Sequence, residues 1–121
     1  MNIRTINKNG VEIASVTSSE VLITDVQSAL DLIATVSYEV GTNKIVLNKS
    51  VISEDFFDLK TRLAGEIIQK FINYQTKVAI VGDFSTYQSQ SLKDFIYESN
   101  KGKDLFFLSD EDQAIEKLCS I

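Results

Sequence analysis

The run Lys77-Val78-Ala79-Ile80-Val81-Gly82 constrains the fold more than any other segment, because it is apolar without alternation. A strand with one wet face alternates apolar and polar residues, whereas a strand covered on both faces reads as an unbroken apolar run. The segment predicts an interior strand of a parallel sheet, placed at the sheet centre, with helices as its cover. Two shorter runs, Lys44 to Leu47 and Leu105 to Leu108, have the same character.

Helical periodicity fills the intervals between these runs. Val26, Ala29, Leu30, Ile33 and Ser37 recur at three- and four-residue spacing, opposite Asp25, Gln27 and Asp31. Gly41 ends that helix or the turn after it. From Ser53 onward the pattern is helical again, and Leu63, Ala64, Ile67, Ile68, Phe71 and Ile72 make the broadest apolar stripe in the chain. Leu92, Phe95, Ile96 and Ser99 mark a third helix that stops at Asn100 to Gly102. Ala114, Ile115, Leu118 and Cys119 mark a fourth. At the start, Asn2 to Lys8 and Val11 to Thr17 flank Asn9-Gly10, the dipeptide suited to the positive φ angles of a two-residue hairpin.

The expected fold class is therefore α/β: an N-terminal β-hairpin followed by βα units, with a mainly parallel five-stranded sheet, in a single domain over residues 1–121. At 121 residues one core is expected, and no linker or repeat argues for a second domain. Gly65, inside the strongest helical stripe, is expected to mark a close approach of another element.

Composition removes several function classes. The 12 Lys and Arg against 17 Asp and Glu give a net charge of −5, with no basic stripe, so nucleic acid is not an expected partner. There is no histidine and one cysteine, Cys119, which excludes histidine-dependent hydrolysis and the usual zinc ligand sets within one chain. A single cysteine fits a reducing compartment, and the first residues contain neither a signal-type nor a membrane-spanning run, so a cytoplasmic, membrane-free location is expected. Cys119 lies on an inward stripe and reads as packing.

The segments S-E-D-F-F-D-L-K-T (53–61), L-A-G-E-I-I-Q-K-F (63–71), V-A-I-V-G-D-F-S (78–85) and S-L-K-D-F-I-Y-E-S-N-K-G (91–102) resemble an uncharacterised bacterial family catalogued as domain-of-unknown-function family 4180. The likeness covers nearly the whole chain and carries no known activity. In element order the chain is also similar to the anti-sigma-factor antagonist (STAS, SpoIIAA-like) domains, which implies the same fold and a regulatory role. Their phosphorylated Asp-Ser-Ser-Gly segment corresponds here to Ile52-Ser53-Glu54-Asp55-Phe56, which matches neither the acceptor serine nor the glycine. The phosphorylation site is not carried over.

Ligands of parallel sheets favour the crevice beyond the carboxyl ends of the strands, here the loops Asn48 to Asp55 and Gly82 to Ser91. The candidate ligand-binding residues are Lys49, Ser53, Asp55, Asp83 and Ser85. Ser53 before Glu54 and Asp55 is also what a helix start requires, as is Ser109 before Asp110, Glu111 and Asp112. Anion binding at the crevice is opposed by Glu54, Asp55 and Asp83, with Lys49 able to offset one of them, and no glycine-rich phosphate loop is present. A hard cation held by Asp55, Asp58 and Asp83 is a weaker reading than solvated surface acids. Most of the phenylalanines lie on apolar faces and read as core. In Phe56-Phe57 a helical 100° step leaves one ring to emerge toward solvent or a partner.

No catalytic group, metal or cofactor is assigned from these residues. The leading expectation is a non-enzymatic regulatory or protein-interaction domain, with a protein partner or a homodimer. The alternative is a small-molecule-binding or hydrolytic protein using the crevice.

Overall fold

The apolar runs and helical stripes alternate in a computed structural model that describes residues 1–121. The elements are β1 (Asn2–Lys8), β2 (Val11–Thr17), α1 (Val26–Glu39), β3 (Lys44–Asn48), α2 (Leu63–Asn73), β4 (Lys77–Val81), α3 (Gln90–Lys101), β5 (Leu105–Leu108) and α4 (Glu111–Cys119). Asn9 and Gly10 adopt φ of 54° and 80°, so the opening hairpin turns as its dipeptide predicts. The sheet is mixed: β1 pairs antiparallel with β2, while β2–β3, β3–β4 and β4–β5 are parallel.

Strand order in space is the order in sequence, β1-β2-β3-β4-β5. The central strand is thus β3, a correction to the placing of Lys77–Val81 at the centre. An interior strand one place from the middle is covered on both faces as well, so the apolar run alone does not separate the two positions. Crossovers that share one hand and always step the same way put every crossover helix on one face. Accordingly α1, α2 and α3 contribute Ala29, Leu32, Val36, Ala64, Ile67, Phe71 and Leu92 to a single core with Ile45, Leu47, Val78, Ile80, Leu105 and Phe107 of the strands.

The opposite face carries only α4. There Ile13, Val46, Ala79 and Phe106 meet Ala114, Ile115 and Leu118 in a second, smaller core, with Cys119 packed at its margin. Polar contacts at the rim of α4 supplement this packing. Arg4 and Lys8 of β1 pair with Glu111 and Glu116, and Lys44 Nζ donates to the carbonyls of Leu118 (2.8 Å) and Ile121 (2.9 Å). A cation at a helix C-terminus complements the negative end of its dipole. Asp110, rather than Ser109, caps the helix by accepting from Gln113 N at 2.8 Å.

Other expectations are corrected locally. The inward stripe of α1 is Ala29, Leu32 and Val36, rotated from the one containing Leu30 and Ser37. After Ser53 the chain makes two 3-10 turns, Glu54–Phe57 and Leu59–Thr61, before α2 begins. These turns fold the segment into the core, so Phe56 and Phe57 are both buried and neither emerges. Gly65 is exposed, with open space where a Cβ would stand, which removes the close approach expected of it. The glycine that makes such an approach is Gly82, where a Cβ would lie 2.8 Å from Lys49 Cβ. No helix is long and apolar enough to cross a membrane.

Candidate functional site

Because β3 and β4 are parallel neighbours, the chain leaves both at the same rim, and the two loops expected to meet do so. Leu22 N and Ile23 N donate to Val51 O (2.7 and 3.0 Å), Ser53 N donates to Ile23 O (2.8 Å), and Ile23 bridges to Ile52 as a short parallel extension. These bonds fix the first loop. Asn48 starts it by accepting from Ser50 N at 2.9 Å, and Lys49 then lies across the bare backbone of Gly82.

The side chains of this rim are engaged with one another. Lys49 Nζ donates to Asp83 O at 3.2 Å and stands 4.6 Å from the centre of the Tyr87 ring, in cation–π geometry. Tyr87 stacks on Phe57 with centroids 5.3 Å apart, and its hydroxyl donates to Glu54 Oε2 at 2.9 Å. Burial, then the carboxylate of Glu54, pushes the Tyr87 phenol well above the ordinary tyrosine value, so it holds its proton. Asp83 accepts from Ser85 Oγ (2.6 Å) and Ser85 N (2.9 Å), which holds its carboxyl below the usual range. A carboxylate stabilised in that way is a weak base.

Of the sequence-predicted residues, Lys49, Ser53 and Asp83 line one cleft of about 560 Å³. Ser85 joins them only through Asp83. Ser53 also caps its 3-10 turn, accepting from Asp55 N at 3.2 Å. Asp55 is exposed and lies outside the cleft lining, its carbonyl accepting from Thr61 Oγ1 at 2.7 Å. Asp58 caps the next turn through Lys60 N, and Asp55, Asp58 and Asp83 do not gather into a group able to hold a metal ion.

A larger groove, of about 830 Å³, lies elsewhere, against the outer flank of α1 near the amino-terminal ends of the parallel strands. Leu30, Ile33, Ala34 and Ile45 provide its apolar lining, Tyr38 and Tyr74 its aromatic lips, and Asp31 its one charged group. Tyr38 is 92% exposed and Tyr74 61%. Reading α1 for its core face misses this groove. The signal in the sequence is a second i, i+4 row, Leu30-Ala34-Tyr38, beside the buried one.

The match to known families covers nearly all of these elements: a family model spans residues 8–118, from the end of β1 to the last turn of α4. The chain belongs to the family described as Domain of unknown function (DUF4180). No curated protein and no solved structure matches it. The description of the DUF4180 family carries no activity.

Proposed function

We propose that this DUF4180 domain is a non-enzymatic regulatory module of STAS-like fold that binds a protein partner at the groove between Tyr38 and Tyr74. The single observation that carries the reading is the pair of exposed tyrosines flanking an apolar floor. Tyrosine supplies large contact area at low entropic cost and is enriched at the centres of protein interfaces. The fitting occupant is a short apolar segment bearing a cation, because Asp31 is the groove's only charge and the domain as a whole is acidic. The order of elements, a hairpin followed by sequential βα units, supports the STAS-like assignment.

Peptide display against the folded domain tests this reading. Enrichment of apolar sequences carrying Lys or Arg, with binding lost in Tyr38→Ala and Tyr74→Ala, is the expected result. A selection that enriches nothing, or binders indifferent to both substitutions, refutes it.

A second reading, small-molecule binding or hydrolysis at the rim, is favoured by the shared cleft of Lys49, Ser53 and Asp83. It is the weaker of the two. Asp83 is held ionised by Ser85, Tyr87 is held protonated, and Lys49 is engaged by a carbonyl and a ring, so the groups that would do chemistry are occupied in bracing the two loops.

A further inference from the structure

The two edges of the sheet are finished differently. At β5, Phe107 N donates to Asn100 Oδ1 at 2.7 Å and Asn100 Nδ2 donates to Phe107 O at 3.2 Å. The side-chain amide takes the place of a neighbouring strand, and the edge is closed at that point.

At β1 the edge is open. The two-residue turn makes Lys8 and Val11 a hydrogen-bonded pair, and antiparallel alternation then directs the N–H and C=O of Asn2, Arg4, Ile6 and Lys8 toward β2. Those of Ile3, Thr5 and Asn7 point away from the sheet. None of the 23 backbone bonds outside the regular elements reaches these three residues, and the side-chain bonds of β1 are those of Arg4 and Lys8 to α4.

We propose that the β1 edge pairs with the β1 edge of a second copy of this chain, antiparallel about a two-fold axis through Thr5. In that register Thr5 meets Thr5 and Ile3 meets Asn7, so every outward residue meets another outward residue. Three N–H and three C=O groups from each copy give about six backbone hydrogen bonds. All seven residues of β1 are used, because Arg4 falls opposite Ile6 and Asn2 opposite Lys8, and no like charges stand directly opposed. Cations on an edge ordinarily keep two sheets apart. Here Arg4 and Lys8 are already paired with Glu111 and Glu116 of their own copy. The closure at Asn100 opposes further addition at the far edge, which favours a closed two-fold dimer over an open filament. The β1 edge shares no residue with the Tyr38–Tyr74 groove, so the two proposals stand or fall separately.

Sedimentation velocity over a concentration series from about 1 to 500 μM, a range suited to moderate affinities, reads the result. The full chain is expected to show a reversible monomer–dimer equilibrium. Thr5→Pro removes an N–H that faces outward, which leaves the bonds to β2 intact, and should raise the dissociation constant at least about tenfold. Thr5→Lys sets like charges across the axis at an exposed position and should weaken the dimer similarly even if the proline variant fails to fold. A chain that stays monomeric throughout the range overturns the proposal, leaving the edge to an extended segment of some other protein or to solvent. A dimer that folded variants at Thr5 do not weaken overturns it equally.

Discussion

The two faces of the sheet are covered to very different depths. On one, α1, α2, α3 and the 3-10 turns bury a 20-residue core that includes Phe56 and Phe57. On the other, the 9-residue α4 holds a core of 7 residues, assisted by ion pairs at its margin. The parts of this small domain therefore need not share one stability. Loss of packing on the thick face should be felt by the whole molecule, whereas loss on the thin face should first release one helix.

Phe56→Ala is expected to cost about 3–5 kcal/mol in global stability by denaturant melting. A loss under about 1 kcal/mol would mean that the thick face tolerates a cavity and is not the determining core. Next comes Leu118→Ala, expected to cost about 2 kcal/mol, with amide exchange accelerated in α4 and little changed in β3 and β4. Uniform acceleration across the sheet would show the two faces to be one cooperative unit.

Substitution also separates Gly82, which lies against Lys49, from the exposed Gly65. Gly82→Ala should destabilise by about 1–3 kcal/mol as its Cβ displaces the Lys49 side chain from the rim. Gly65→Ala should raise stability by about 0.5–1 kcal/mol, because the site is helical, exposed and open. Reversed signs in thermal melting would contradict the packing described for both positions.

At the outer rim of the thick face, Tyr87 makes stability depend on pH. Tyr87 binds its proton more tightly when folded than when unfolded, so its contribution is complete below the ordinary tyrosine pKa and is lost as pH rises toward the higher folded value. Stability should therefore fall on the alkaline side of about pH 10, and less steeply in Tyr87→Phe. An identical alkaline decline in both proteins would remove Tyr87 from the account.

Much of this architecture is legible in the amino-acid sequence. The Asn9-Gly10 turn, the three apolar runs and the stripe of α2 identify their elements through local chemistry alone, and crossover rules then make the later strands parallel. What local chemistry leaves open is the direction of each step in the sheet. That choice decides that β3 is central and that three helices share a face. The turns after Ser53 are hidden for a related reason: Phe56 and Phe57 satisfy an apolar pattern equally in a helix and in a tight turn buried under α2. At the rim, Lys49, Ser53 and Asp83 can be placed together because parallel neighbours end side by side. Asp55 cannot be separated from them by sequence, since only the path of its turn carries it away from the cleft. The tyrosine-lipped groove is masked because one stripe of α1 already accounts for its burial.

The unbroken spatial succession of the strands has a consequence for biosynthesis. Each new strand leaving the ribosome finds its pairing partner already made, in the strand just before it, and no gap has to be held open for a later insertion. The sheet can thus be assembled vectorially, one crossover at a time. Its thin side is sealed only when α4 arrives and closes over strands that have already aligned.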